Sequence, residues 1–104
     1  MVTQNDEYIR ELICETRSGD RISTEHLAVI VRQRIYPFIL RSVSDTDAAE
    51  DILQDTLLSV LLNLKSLRDN DKFWPWVYRI ALCRIRDHII KRRLRSAGKA
   101  TLAL

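Results

Sequence analysis

The sequence predicts an all-α fold, a compact bundle of about four helices. It contains only two glycines and two prolines among 104 residues, and its 46% hydrophobic and 30% charged residues are typical of a compact helical protein. Apolar residues recur at helical spacing in four segments, and no segment shows the alternation of a β-strand. A chain of this length forms one domain and can bury a core without disulfides or metals.

The first helix is predicted from Asp6 to about Thr16. Apolar residues recur there at helical spacing, and Asn5 or Asp6 is available as the N-cap. The polar segment that follows contains Gly19, which favours a break in the chain. We therefore expect a short amphipathic helix that ends before this glycine.

The second helix is predicted to begin after Ser23 or Thr24, since both residue types cap helices, and to continue to Val43. Pro37 lies inside this segment, where a proline removes a backbone hydrogen-bond donor. We expect the helix either to kink or to split near Tyr36.

The third helix is predicted from Asp47, which with Glu50 forms a capping-box-like start, to about Leu64. Its spacing separates an apolar side from an acidic one. The residues predicted to be buried are Ala49, Leu53, Leu57, Val60, Leu61 and Leu64.

Leucines and acidic residues share the opposite side of this helix. That side carries Asp47, Asp51, Gln54, Asp55, Leu58 and Leu62. Acidic groups would keep such a face soluble, while the leucines would give a binding partner apolar area to bury. The alternative, which the sequence leaves open, is that another element of the domain covers Leu58 and Leu62.

A charged connector from Lys65 to Lys72 is too polar for a core and short enough to hold two helices antiparallel. The fourth helix is predicted to start around Trp74, with Pro75 in its first turn, and to end in the basic cluster 91–95. A tail is expected from Ser96 onward.

The fourth helix combines an apolar side with a basic one. The apolar side carries Val77, Ile80, Ala81, Ile85, His88 and Ile89. Arg79, Arg86 and Arg93, seven residues apart, share the other side, and four aromatic residues stand at the N-terminal end. Aromatic rings beside an arginine stripe suit single-stranded nucleic acid, because rings stack on bases while arginines neutralise phosphates.

The net charge of +3 conceals two halves of opposite sign. Residues 1–64 carry six arginines against eleven acidic residues, a net charge of −5, whereas residues 65–104 carry eleven basic residues against three, a net charge of +8. Such polarity predicts separate partners for the two halves. Nucleic acid is favoured for the basic half over an acidic membrane surface, because the apolar residues opposite the charges are needed for a core.

Several functional classes are disfavoured. Cys14 and Cys83 lack metal-ligand spacing and are expected to be reduced thiols. Paired acids, a nucleophile with a base, and a phosphate-binding loop are not found, so neither an enzyme nor a cofactor is predicted. A leader peptide and a membrane-length apolar segment are not found either, which makes the cytoplasm the expected location.

Two segments together resemble region 2 of the bacterial RNA polymerase sigma factors of the extracytoplasmic-function (ECF) subfamily. The first is AEDILQDT, residues 49–56, and the second is FWPWVYRIA, residues 73–81, followed by Arg84, Arg86, Asp87, His88 and the basic run. The resemblance covers roughly Asp6 to Arg95. It departs from the family pattern at Cys83, where the family usually has an asparagine.

The resemblance implies that the third helix docks on the coiled-coil clamp helices of the largest subunit of core RNA polymerase. The acid and amide positions of that contact correspond to Asp51, Gln54 and Asp55. The pattern of the helix itself adds Leu58 and Leu62 as candidates.

The resemblance also implies that the connector and the first half of the fourth helix bind the −10 promoter element on the non-template strand. A base would be flipped into a protein pocket, and the duplex would open without ATP. The candidate DNA-binding residues are Lys65, Arg68, Asn70, Lys72, Trp74, Trp76, Arg79, Arg86 and Arg93.

Individual side chains of this set have competing roles. Core packing is favoured over base contact for Trp76 and Tyr78, and Trp74 is nearly balanced between the two. Asn70 could contact adenine edges, while Asp69 and Asp71 are expected to cap or turn the chain.

The expected organisation is a region 2 domain at residues 1–95 and, at residues 96–104, the start of a linker to a region 4 module that the sequence lacks. An anti-sigma factor is a possible further partner. The alternative function is a helical DNA-binding regulator that does not contact polymerase.

Overall fold

The computed structural model describes residues 4–103 of the chain, and the side chains of residues 6–98. Within this range it contains four α-helices: α1 (Gln4–Arg17), α2 (Arg21–Val43), α3 (Thr46–Asn63) and α4 (Phe73–Ala103). Two single 3₁₀ turns, Leu64–Ser66 and Asn70–Lys72, lie between α3 and α4. The prediction of an all-α bundle of about four helices is confirmed.

Helix α2 packs against each of the other three helices. Its buried side chains recur every fourth residue and are Ser23, Leu27, Val31, Ile35 and Ile39. The matching core side chains come from Ile9, Leu12 and Ile13 of α1, Ile52, Leu53 and Val60 of α3, and Phe73, Val77, Ala81 and Ile85 of α4. Because α2 supplies the common surface, it fixes α1 and the α3–α4 pair in one core.

Helix α2 runs without a break through Pro37, which lies on its exposed side. A proline removes one backbone hydrogen bond, but on the solvent side water can satisfy the carbonyl that is left unpaired. Of the two predicted outcomes, a split near Tyr36 is therefore excluded.

The predicted N-caps were wrong. Helix α2 is capped by Asp20, whose carboxylate accepts a hydrogen bond from the backbone N–H of Ser23 at 3.1 Å, and Ser23 itself is buried inside the first turn. Helix α3 is capped by Asp45 rather than Asp47, and its carboxylate accepts from the Asp47 N–H at 3.0 Å. In both cases an aspartate earlier in the chain satisfies the free N–H groups of the first turn.

The first helix begins at Gln4, so Asn5 and Asp6 lie in its first turn instead of capping it. The residue that precedes the helix lies outside the described residues.

The buried side of α3 differs from the predicted one by a small rotation. Ile52 and Thr56 are buried, whereas Leu57 and Leu61 are only half-buried. The Thr56 hydroxyl donates to the Ile52 carbonyl at 2.8 Å, which allows a polar side chain in the core. The other predicted positions, Ala49, Leu53, Val60 and Leu64, are buried as expected.

Helix α4 does not end in the basic cluster 91–95 but continues to Ala103. Residues 89–98 are exposed along this extension, including Ile89, which the pattern assigned to the core, while His88 is half-buried. A single Gly98 costs only about 1 kcal/mol of helix propensity, too little to stop the helix alone. Residues 96–103, which the sequence assigned to the start of a linker, are thus part of α4, and Leu104 lies outside the described residues.

The core of α2 predicts a sharp contrast between two isoleucines of the same helix. Ile35 is completely buried, so Ile35→Ala should reduce the free energy of unfolding by about 2–5 kcal/mol. Ile22 is 64% exposed, and Ile22→Ala should change the free energy of unfolding by less than about 0.5 kcal/mol. Urea denaturation followed by circular dichroism measures both, and similar losses for the two variants would contradict the assigned core.

The Asp20 cap predicts a pH dependence of stability. Hydrogen bonds from the Ser23 side chain and backbone lower the pKa of the Asp20 carboxyl below its usual value of 3.8. A lowered pKa in the folded state means that the stabilisation is present above the usual value and is lost as pH falls through the lowered one. Asp20→Asn keeps a capping side chain without the charge, so its melting temperature should fall less steeply below pH 4. If the melting temperatures of wild type and variant fell equally as pH decreases, the result would contradict this assignment.

Candidate nucleic-acid and protein interfaces

The acidic side of α3 is accessible to a partner. Asp51, Gln54 and Asp55 are exposed, and Leu58 and Leu62 expose 58% and 79% of their surfaces. The alternative in which another element covers the two leucines is therefore wrong for the part of the chain that the structure describes. We call these five residues the acidic–leucine face.

The acidic–leucine face is held by the packing of the opposite side of α3. Ala49, Ile52 and Leu53 lie in the core directly behind it. At its edge, the Arg32 guanidinium on α2 lies 3.2 Å from the Glu50 carboxylate, so α2 and α3 are also joined at the surface. The face is therefore presented by a helix that is anchored along its length.

The connector predicted at residues 65–72 begins one residue earlier in the structure, so it comprises residues 64–72 between α3 and α4, and its conformation places the basic side chains outside. Leu64 and Leu67 are buried, whereas Lys65, Arg68 and Lys72 are exposed. Leu64, Leu67 and the following Phe73 hold the backbone against the core, and the three cations that lie between these buried side chains face solvent. Three of the predicted DNA-binding side chains are thus accessible together.

Of the two connector aspartates predicted to cap or turn the chain, Asp69 has that role, whereas the Asp71 side chain forms an ion pair instead. The Asp69 carboxylate caps the second 3₁₀ turn by accepting from the Asp71 N–H at 2.9 Å. Asp71 forms an ion pair with Arg10 of α1. These contacts order the turn that carries Asn70.

Asn70 is half-buried, unlike the other polar candidates of the connector. Its amide nitrogen lies 3.8 Å from the Cys14 sulfur, a weak acceptor, and its side-chain oxygen is buried without a hydrogen-bond partner among the described residues. In this conformation Asn70 is positioned by α1 and presents only part of its amide.

The aromatic residues of α4 divide between core and surface. Phe73 is buried, while Trp74 and Trp76 are half-buried, with ring centroids 5.1 Å and 6.2 Å from that of Phe73. Tyr78 packs edge-on against Phe38 at 5.2 Å. Each tryptophan therefore packs on the core and still retains some accessible surface.

Arg34 of α2 is a neighbour of the candidate surface that the sequence pattern did not suggest. Its guanidinium carbon lies 4.4 Å from the centroid of the Trp74 ring, a cation–π contact. It covers one face of Trp74 and adds a positive charge beside it. The sequence carries no signal for this role of Arg34, because its partner is forty residues away. Arg34 also lies in the half of the chain that has net negative charge.

The arginine stripe Arg79, Arg86 and Arg93 is exposed along one side of α4. At a rise of 1.5 Å per residue its ends lie about 21 Å apart. The stripe continues past the core onto the exposed extension of the helix, so it forms a linear array of cations.

A groove of about 370 Å³ separates the end of α3 from the beginning of α4. Trp76 and Arg79 line it, and also in its wall the Arg84 guanidinium donates to the Ser59 hydroxyl at 3.0 Å. The remaining lining residues are Asn63, Ser66, Ile80 and Cys83. The groove combines an aromatic side chain, a cation and amide or hydroxyl groups.

The described residues contain neither a membrane-spanning helix nor a metal-binding cluster. No helix among them is both long and apolar enough to span a membrane. No cluster of three or more histidine, cysteine, aspartate or glutamate side chains there could hold a metal ion.

These features define the class of the protein as a helical binding domain with an acidic–leucine face and a basic, aromatic surface. The family model described as Sigma-70 region 2 matches residues 27–95, so the chain belongs to the sigma-70 region 2 family. Both motifs that suggested the ECF sigma factors lie inside the matched segment. The family membership agrees with the prediction that the chain is not an enzyme.

Curated relatives support this family. The chain is 27% identical over 92 residues to RNA polymerase sigma-H factor of Pseudomonas aeruginosa, covering 88% of this chain and 47% of the relative. It is 31% identical over 85 residues to ECF RNA polymerase sigma factor SigW of Bacillus subtilis, covering 82% and 46%. The chain spans about half the length of these relatives. No solved structure matched.

Proposed function

We propose that this chain is a sigma factor domain that binds core RNA polymerase and recognises and helps to melt the −10 promoter element. The observation that supports this most is the pairing of two different surfaces within residues 27–95. An exposed acidic–leucine face lies on α3, and a basic, aromatic surface begins directly after it on the connector and α4. A protein that joins an enzyme to DNA needs two such surfaces in fixed relation.

The proposed polymerase contact is the acidic–leucine face. Both relatives are named as RNA polymerase sigma factors, and we extend that partner to this chain. Asp51 and Asp55 would give charge complementarity to a basic partner, and the exposed leucines would give apolar area at the centre of the contact. An expected location in the cytoplasm and a possible anti-sigma partner belong to the same proposal.

The proposed DNA contact begins at the connector and follows the arginine stripe. Lys65, Arg68 and Lys72 would neutralise phosphates of the non-template strand beside the connector. Arg79, Arg86 and Arg93 would continue this contact along about 21 Å of helix. Such contacts give affinity and register but little sequence information.

The groove beside Trp76 is the proposed pocket for an extruded base. The Trp76 ring would offer a stacking surface, and Asn63 and Ser66 would offer hydrogen-bonding groups for the edge of the base. Stacking on an aromatic side chain is worth about 1–3 kcal/mol per base, which is comparable to the few kcal/mol needed to unstack and unpair one base. Phosphate contacts then add enough binding energy for opening to proceed without ATP.

The polymerase contact predicts a charge-reversal effect. An Asp51→Arg, Asp55→Arg double variant should lose at least about tenfold in affinity for a fragment of the polymerase clamp helices, because charge complementarity becomes repulsion. The matched control is Glu7→Arg, Glu11→Arg, which reverses two exposed acids at the same spacing on α1. Pull-down or biolayer interferometry measures both variants. Equal binding of the Asp51/Asp55 variant and wild type would refute the assigned face.

The DNA contact predicts a preference for single strands. The domain should bind a single-stranded non-template −10 oligonucleotide more tightly than the matched duplex, with affinity that falls steeply as salt rises. Arg86→Gln should reduce the magnitude of the log–log salt slope by about 0.7, the value for one phosphate contact to a single strand. Fluorescence anisotropy measures both quantities.

Arg21→Gln is the control for the salt experiment, because this exposed arginine lies beside Glu25 at the start of α2, away from the stripe. Equal affinity for single strand and duplex, or a slope unchanged by Arg86→Gln, would count against the proposed DNA contact. Preference for duplex together with no polymerase binding would instead identify a helical DNA-binding regulator.

A further inference from the structure

Helix α1 lies outside the segment matched by the family model, yet one side of it contacts the connector. Arg10, Cys14 and Arg17 are spaced four and three residues apart, so they share one face of the helix. Their partners, in the same order, are Asp71, Asn70 and the backbone carbonyls of Leu64 and Leu67. These three residues of α1 therefore contact the connector along its whole length, from Leu64 to the second 3₁₀ turn.

Arg17 makes the most extensive of these contacts. Its Nε donates to the Leu64 carbonyl at 3.3 Å, and its Nη2 donates to the Leu67 carbonyl. The Leu64 carbonyl also accepts from the Leu67 N–H at 3.2 Å, which closes the first 3₁₀ turn. A guanidinium can donate to two acceptors at once, so Arg17 ties both ends of this turn to α1. Because the site is partly buried and the donor is charged, these hydrogen bonds are stronger than ordinary surface contacts.

The contacts at the other end of the connector are weaker. The Arg10 and Asp71 side chains are 43% and 63% exposed, and exposed ion pairs contribute little by themselves. The contact between the Asn70 amide and the Cys14 sulfur, at 3.8 Å, is also weak. These contacts restrict the position of the second 3₁₀ turn of the connector, whereas Arg17 holds the first 3₁₀ turn.

We propose that α1 is a positioning element for the connector and that Arg17 is its principal positioning residue. The inference rests on the proposed function, in which the connector contacts the −10 strand. A connector held in its binding conformation before DNA arrives loses less conformational freedom on binding. It also holds Asn70 in one place, which contact with a base edge requires and charge attraction alone does not.

This role has a characteristic signature. Loss of Arg17 should loosen the connector and lower discrimination between DNA sequences, because base contacts depend on exact placement. The salt dependence of binding should stay almost the same, because Lys65, Arg68 and Lys72 remain near the phosphates even when the connector is mobile. An arginine that itself bound phosphate would instead change the salt slope.

The first experiment measures the connector without DNA. Hydrogen exchange in Arg17→Gln should rise about tenfold at the Leu67 N–H, because the charged donor that holds this first turn has been lost. Exchange at the paired N–H groups of the second turn, Asp71 and Lys72, should rise by less, since Arg10 and Cys14 still contact that turn. Exchange in α2 and the middle of α3 should not change. Arg21→Gln, which removes the same charge from an exposed site, should leave the connector unchanged.

The second experiment measures selectivity. The wild-type domain first selects a preferred hexamer from a randomised single-stranded pool, and anisotropy then compares the selected sequence with a scrambled one. The ratio of the two affinities should fall about fivefold in Arg17→Gln, as expected for lost hydrogen bonds, with an unchanged salt slope. Arg17→Lys, which keeps a charged donor but not the two-pronged geometry, should restore part of the ratio.

The outcomes separate this inference from the proposed function. Unchanged exchange at the connector in Arg17→Gln overturns the positioning role, whatever the DNA result. Faster exchange with unchanged selectivity also overturns it. If wild type shows no preference for single strands, the proposed function fails, while the exchange result still tests the contact between α1 and the connector.

A second variant covers the case in which Arg17→Gln destabilises the whole domain. Arg10→Gln removes only an exposed ion pair, so the fold should survive. Exchange at Asp71 and Lys72 should then rise about twofold, with Leu67 unchanged. No change at Asp71 and Lys72 would overturn the role of α1.

Discussion

The burial of three apolar side chains, Leu64, Leu67 and Phe73, is the constraint on which the functional arrangement depends. They lie within ten residues of one another, and each is at least nine-tenths buried. Because these three side chains hold the backbone against the core, most of the polar residues between them lie at the surface. The relation between the acidic–leucine face of α3 and the arginine stripe of α4 is therefore set by apolar packing at the junction, and no charge pair has to hold it.

Electrostatics contributes little to the fold itself. The ion pairs identified among residues 6–98 join exposed or half-exposed side chains, and such pairs are worth about 1 kcal/mol or less. The core of α2, by contrast, is almost entirely apolar. Apart from the Asp20 cap, stability depends little on where the charges lie, so their segregation into an acidic and a basic half needs another explanation. Under the proposed function, binding to two partners of different charge provides it.

The sequence could predict what depends on helical periodicity and could not predict what depends on contacts between distant segments. Four helices follow from the spacing of apolar residues. The buried side of α3 was harder to predict, because leucines occur on several sides of that helix. Packing against α2 and α4 decides which of them are covered, so the burial of Ile52 and Thr56 was missed. The cap of α2 depends on Gly19, whose φ of +93° ends α1 and places Asp20 before the next helix. Arg17 and Arg34 have partners forty or more residues away, and periodicity carries no signal for them.

The acidic residues of α3 have a second consequence under the proposed function. Leu62 is only three residues before Lys65, so the protein-binding surface and the strand-binding surface meet within one turn of chain. A nucleic acid attracted to the connector and to the arginine stripe would meet Asp51 and Asp55 if it extended along α3, and like charges would repel it. The acids therefore do two things at once: they complement a basic protein partner, and they keep DNA from occupying the surface that this partner needs. A neutral α3 face with the same leucines would retain apolar area for the partner but would lose this exclusion, which explains why acids and leucines are interleaved on one side of the helix.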